Sequence, residues 1–385
     1  MSDVDVKATV ADVPVPVFEN PAFHRPRPLS ESRVAIVTTA ALHVQGEPGW
    51  QSKDQSFRVI PATTEGLIIG HVSPNYDRSG FLIDPNVVYP VDRLKEMVAE
   101  GVIGSLAERH LTFLGAQDET MTTIRMDTGP AAAKILREQG VDVVLLTPVC
   151  PLCTRTAGTL AHVLEAEGFA TVQLSLVRSQ TERLKPPRAL YCPFPLGRPL
   201  GKPNDAHFQR QVLDQAFALL ERPSGPVLED YPEAIDDVED SVFECTIPVR
   251  MQSGLPAAVE EALALRPAYN RQLARTGRTV VGRAIGVERI AEAVGAFVSV
   301  SQGGALAELS SLGAPRFVAA DIRAYYEEAA MELADHVPAA HAPEAWFYTK
   351  TAAGQCIRKV QPMLRDAGLP QPDWFFLVPR AYQQP

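Results

Sequence analysis

The stretch Val143-Val144-Leu145-Leu146-Thr147-Pro148-Val149-Cys150-Pro151-Leu152-Cys153-Thr154-Arg155 decides the fold. Its first five residues form an aliphatic run between Gly140 and Pro148, the pattern of a strand buried on both faces of a parallel sheet. Downstream, Leu160, Val163 and Leu164 recur at helical spacing, Gly168 supplies a stop, and Thr171-Val172-Gln173-Leu174-Ser175-Leu176 reads as a second strand. Upstream, Pro130 suits a first helical turn, Ile135 and Leu136 share an inward face, and Gly140 ends the helix. Strand, helix, strand in this order predicts a right-handed crossover unit.

Working outward, Val34-Ala35-Ile36-Val37-Thr38 reads as the first strand, and Phe57 to Ile60, Gly66 to Ile69 and His110 to Leu114 as shorter ones. A helix is expected from Asp92, its N-cap, and another from Asp205 to Glu221. The fold class is therefore α/β, with a doubly wound, mainly parallel sheet in Rossmann-like layers over residues 33–225. Residues 1–32 are punctuated by proline without sustained periodicity, and are expected to be a loosely packed N-terminal arm with no catalytic role. From Pro226 to Glu244 there are eight acidic residues and no lysine or arginine, so 226–245 is expected to be an acidic linker. Beyond it, Val287, Ile290, Ala291, Val294 and Val298 mark an amphipathic helix in a mainly helical C-terminal region, 246–385.

Composition excludes several function classes. With 385 residues, 46% of them hydrophobic and 21% charged, the chain resembles an ordinary globular protein of two or three domains. Its 33 prolines exceed the usual share of about 5% and imply ordered loops and sharp element ends. A net charge of −10 provides no basic footprint for nucleic acid. No window approaches the roughly 18 consecutive apolar residues of a membrane helix, and the N-terminus lacks the pattern of a secretory signal, so a cytoplasmic location is expected. Five cysteines in a chain this long do not suggest a disulfide framework, which makes a close pair of them a candidate for chemistry.

Cys150 and Cys153 are that pair. In an open sheet of this kind ligands sit beyond the carboxyl ends of the strands, where the loop after Thr147 lies. Pro151 suits a first helical position, which makes Cys150 the expected N-cap and puts Cys153 in the first turn. The positive end of the helix dipole, with Arg155 adding to it, would favour a thiolate, and two thiols at this spacing can attack and then resolve as a disulfide. By analogy with thioredoxin-like sites Cys150 is the expected attacker. Two other readings stay open: cysteines that fill a small apolar pocket, and a zinc site completed by Cys192 and a histidine. His71, and His43 just past the first strand, are candidate general acids, or else local hydrogen-bonding residues. Arg58 could clamp a carboxylate, and Asp84 with Asn86 could hold a substrate ammonium or simply form an Asx turn around Pro85. No metal, nicotinamide or flavin is expected, and His162 reads as structural.

Between Val34 and Glu221 the chain also resembles the selenoprotein B family of glycine, sarcosine and betaine reductases, with its D-proline reductase relatives. The resemblance is carried by Ser56-Phe57-Arg58-Val59-Ile60-Pro61, His71 with Tyr76-Asp77, Asp84-Pro85-Asn86-Val87-Val88-Tyr89-Pro90 and Asp92-Arg93-Leu94. It continues through Gly101-Val102-Ile103-Gly104-Ser105-Leu106-Ala107, Thr147 to Cys153, Pro186-Pro187-Arg188-Ala189-Leu190 and Pro195 to Pro203. It implies reductive cleavage of a carbon–nitrogen bond in a small amino acid or betaine, with a selenium or sulfur nucleophile at the Cys150/Cys153 position. Neither position is selenocysteine here. The resemblance further implies an external dithiol or thioredoxin-like reductant, and a companion subunit, the source of any pyruvoyl group; a homo-oligomer is the other expected assembly. The rival functions are a redox-neutral thiolate lyase or racemase, and a metal-binding or assembly subunit using the CxxC.

Overall fold

Val143–Thr147 is a strand, buried along its whole length, and it stands at the middle of the main sheet. The computed structural model describes residues 3–235, 243, 245–248, 254–334 and 336–383. They fall into two compact units, which divide the chain at Asp236 and Asp237.

In the first unit the strands are β1 (Arg33–Thr38), β2 (Leu42–Val44), β3 (Phe57–Pro61), β4 (Leu67–Ile69), β5 (Ser105–Leu106), β6 (Arg109–Phe113), β7 (Val143–Thr147), β8 (Ala170–Ser175), β9 (Arg188–Tyr191) and β10 (Val227–Asp230). Among the described residues eight of them make one sheet in the order β10-β9-β8-β7-β1-β6-β3, with β5 beside β1. All its pairings are parallel except that of β3 with β6. The pleat of β1 sorts its residues onto two cores. Val34 and Ile36 pack with the helices Val91–Ala99 and Ala206–Ala218, whereas Ala35 and Val37 pack with Gly129–Glu138 and Cys153–Ala166. Helices thus cover both faces, as the doubly wound expectation requires.

The chain leaves β1 toward β5 and β6 on one side and returns at β7 to build β8, β9 and β10 on the other. The carboxyl ends of β1 and β7 therefore flank a topological switch point, the crevice where such sheets place their sites. A short antiparallel pair, β2 with β4, crosses the same end and delivers the segment after Ile69 to it.

Three sequence expectations change. Residues 3–24 are not loosely packed: Asp3–Thr9 is helical, Val6 is buried, Phe18 stacks on His162 at 4.0 Å, and His24 is bonded to both Glu165 and Arg188. This segment explains why the Cys153–Ala166 helix is buried nearly all round, since it covers the side the sheet does not. The expected acidic linker begins as sheet: Val227–Asp230 pairs in parallel with β9, its backbone groups satisfied there despite Glu229 and Asp230. The rest of that linker lies largely outside the described residues. Finally, Cys150 is not the N-cap; the helix starts at Cys153, and Cys150 sits in the turn before it, its carbonyl accepting the Cys153 N–H at 3.0 Å.

The second unit is helical in its described residues. Ala257–Thr276 packs along Pro315–Leu333, with Ile290–Ser301 and Ala352–Asp366 beside them. Asp321 accepts four consecutive backbone N–H groups, from Gly282 to Ile285, and so ties the loop before Ile290–Ser301 to the core.

Candidate active site

At the switch point Cys150 follows β7, Thr39 follows β1 and His71 follows β4. Their convergence is a consequence of strand order. Cys150, Cys153 and His71 are each at most 1% exposed. The two sulfurs lie 2.8 Å apart as free thiols, well beyond the ~2.05 Å of a disulfide, and His71 Nε2 is 3.4 Å from Cys153 Sγ. The Thr39 carbonyl stands 3.6 Å from the same sulfur.

The His71 ring is oriented by a group that cannot change its role. The Ser73 backbone N–H donates to Nδ1 at 3.1 Å, so Nδ1 bears no proton and the ring hydrogen is on Nε2, directed at Cys153 Sγ. An imidazolium would set two N–H groups against each other. The general-acid role expected of His71 thus gives way to hydrogen-bond support of a thiolate. Tyr76 meets the ring edge-on at 5.5 Å.

Burial opposes ionisation of both thiols, and their surroundings divide them. At Cys153 the opposition is overcome by the hydrogen bond from Cys150, then by the hydrogen bond from His71 and by Thr39, which together hold the thiol well below its ordinary value. At Cys150 burial, then the hydrogen bond and charge of Cys153, push the thiol well above it. The acidic member of the pair is therefore Cys153, the reverse of the sequence expectation, and it also stands at the positive end of its helix.

The ligand atoms of His71, Cys150 and Cys153 all lie within 4.8 Å of one another, close enough for a soft metal. The tautomer argues against that use. A metal-bound imidazole donates its other N–H to an acceptor, and here the other nitrogen faces a donor.

The remaining sequence candidates lie elsewhere. Arg155 is buried with its guanidinium donating to the carbonyls of Pro14, Gln117 and Asp118, so it holds loops together instead of binding substrate. Asp84 accepts from Asn86, Asn204 and Gln209, and Asn86 bonds Asp92 through both side-chain atoms; the Asx-turn reading describes them, because their polar atoms are engaged within the fold. His43 and Arg58 are brought together in a groove of about 640 Å³ whose lining includes Glu47, Pro48 and Thr64 but neither cysteine. There Arg58 donates to the Pro48 carbonyl and lies 4.3 Å over the Trp50 ring.

Sequence reasoning missed Thr39, Ser73 and Gly115. A Cβ on Gly115 would land on Cys153 Sγ, so the loop after β6 reaches the thiol only because this position has no side chain. It also left unexplained why separate motifs recur together. Asp77 and Arg198 form a buried ion pair at 2.7 Å. Gly197, at φ +96°, lies against the Asp77 backbone and donates to the Val149 carbonyl at 2.8 Å. Three stretches distant in sequence thus fix the thiol loop.

Fold and site define a class: a doubly wound α/β protein with a buried, polarised dithiol at its switch point. Residues 5–149 match the family described as glycine/sarcosine/betaine reductase selenoprotein B. The D-proline reductase subunit gamma of Acetoanaerobium sticklandii is 30% identical over 238 residues, 60% of this chain and 97% of that protein. The sarcosine reductase complex component B subunit beta of Peptoclostridium acidaminophilum is 28% identical over 226 residues, covering 54% of this chain and 50% of the relative. The glycine reductase complex component B subunit gamma of Carboxydothermus hydrogenoformans is 28% identical over 227 residues, 54% and 50% of the two chains. The chain thus spans nearly all of the first of these relatives and about half the length of the other two. No solved structure is significantly similar. The chain belongs to the selenoprotein B family of glycine, sarcosine and betaine reductases.

Proposed function

We propose that this chain is the thiol-bearing component of a reductase that cleaves a carbon–nitrogen bond in a small cationic substrate, with Cys153 attacking and Cys150 resolving. The observation that carries it is the opposed pair of thiols beside a His71 that donates to one of them. The family relatives, named as components of amino-acid and betaine reductases, support the reaction class.

The electron count closes. The Cys153 thiolate displaces the nitrogen from carbon, and a nitrogen already cationic leaves as a neutral amine without needing a proton. This matches a histidine whose tautomer makes it a poor acid. The Cys150 sulfur then attacks Cys153 sulfur; the carbon leaves with the S–C electron pair and takes up the proton from the Cys150 thiol. The products are the reduced carbon compound, the amine and a Cys150–Cys153 disulfide, and an external dithiol or thioredoxin-like partner restores the thiols. A companion subunit's pyruvoyl group would supply an electron-accepting carbonyl; this chain's own residues provide the thiols and the second proton.

A reducing compartment such as the cytoplasm suits a resting dithiol, and no helix among the described residues is long and apolar enough to cross a membrane.

Alkylation of each cysteine against pH, followed by mass spectrometry, tests the assignment. Cys153 is expected to react at a rate that stays level well below pH 8.5, and Cys150→Ser to raise the pH at which it falls. A faster Cys150 would sink the assignment. Turnover with the companion subunit should consume one dithiol per substrate cleaved; cleavage without dithiol consumption would instead establish the redox-neutral lyase or racemase. Stoichiometric zinc lost on replacing either cysteine would establish the metal-binding reading.

A further inference from the structure

Substrate and reductant must both reach sulfurs that are 0–1% exposed, so some element has to move. The N-terminal segment is placed to be that element. From its helix, Asp3 accepts the Leu196 N–H at 2.6 Å and Lys7 donates to the Phe194 carbonyl at 2.7 Å. Leu196 immediately precedes Gly197, which is bonded to Val149 beside Cys150, and its own carbonyl accepts the Asp77 N–H. Val6 joins the same buried cluster as Val149, Cys150, Cys153 and Leu196. The segment then runs on, with Arg183 donating to the Ala11 and Val13 carbonyls and Arg155 to that of Pro14. Most of these ties are hydrogen bonds to backbone atoms; the apolar contacts beside them are Val6 and Val10 against the core and Phe18 on His162, while Val4 and Val17 remain exposed. The segment is thus held by a short set of identifiable contacts outside the sheet, the kind of element that opens locally while the rest of the fold stays closed.

We propose that residues 3–18 form a strap that closes over the Cys150/Cys153 pair, latched by Asp3, Lys7 and Arg183, and that its release admits substrate or reductant. This goes beyond the reductase reading and does not depend on which bond the thiols reduce.

The test compares the full chain with Asp3→Ala/Lys7→Ala and with Arg183→Ala, by iodoacetamide labelling of Cys153 at pH 7 and hydrogen exchange of residues 3–18. Both variants are expected to exchange faster in the strap and to label at least tenfold faster, with a melting temperature within a few degrees of the parent. A strap that exchanges faster without a change in labelling overturns the proposal, because it then covers nothing. A strap whose exchange is unchanged overturns it too, because these contacts are then not its latches. Uncovered thiols in a chain that reduces no candidate substrate would leave the strap standing and remove the reductase reading instead.

Discussion

Gly115 occupies a place where any larger residue would press on the Cys153 sulfur. Gly115→Ala should therefore move the sulfur off the His71 Nε2–H, destabilising the fold by about 1–3 kcal/mol as overpacking does. Cys153 alkylation should then resemble that of an ordinary thiol, rising only toward pH 8.5; a melting curve and a labelling profile indistinguishable from the parent would show that the loop yields freely. Legibility at this scale was uneven. The CxxC was readable because a strand, a proline and a helix surround it. The choice between its two cysteines was not, since it depends on a histidine 82 positions away and on the tautomer a serine amide imposes. Arg155 misled for a similar reason: adjacency to Cys153 in sequence suggested a role in charge, whereas its guanidinium is taken by three carbonyls from other loops.

Among the elements, β6 carries a second buried histidine whose role is in the fold. His110 Nδ1 accepts the Ile36 N–H from the neighbouring β1 at 3.1 Å. Burial, with a smaller push from Lys95, lowers its pKa from the ordinary 6.5 to about 3. Because the folded value is depressed, the stabilisation is complete above pH 6.5 and is lost as pH falls from there through about 3. One proton taken up on unfolding corresponds to about 1.4 kcal/mol per pH unit in that window. His110→Asn keeps an acceptor for Ile36 and removes the titration, so its denaturation midpoint should decline less steeply below pH 6 than the parent's; parallel slopes would refute the assignment. Strands β1 and β7 were readable because each is a continuous apolar run. β10 was not, because an edge strand carrying Glu229 and Asp230 has the composition of a loop and becomes a strand only by pairing with β9.

At the scale of the whole molecule, His110 in the first unit and Glu328 in the second tie stability to pH in opposite senses. In the helical unit Glu328 accepts the Val280 N–H, and burial raises its pKa to about 8, with Glu327 adding to the effect. A raised folded value gives stabilisation that is complete below the ordinary 4.5 and is lost as pH climbs through about 8. Glu328→Gln should flatten the loss of that unit's stability between pH 5 and 8, read by hydrogen exchange within Pro315–Leu333; an unchanged pH dependence would place the proton elsewhere. The reductase relatives align with about three-fifths of the chain or less. His71, Cys150 and Cys153 all lie in the first unit; the family match takes in His71 and ends at Val149, immediately before Cys150.

The sequence by itself determined the parallel sheet, the crossover unit, the place of the thiols at a strand's carboxyl end and the family, because these follow from local periodicity and from ordered motifs. Only the tertiary structure decided which thiol is acidic, why His71 belongs to it, and that Asp77, Gly197 and Val149 meet. Those facts depend on distances between segments far apart in the chain, set by strand order and by side chains too small to leave a pattern of their own. The N-terminal segment shows the same division most simply. Its prolines announce a path without sustained periodicity, and only the partners it meets, the guanidinium groups of Arg155 and Arg183 and the Leu196 N–H, hold that path in place.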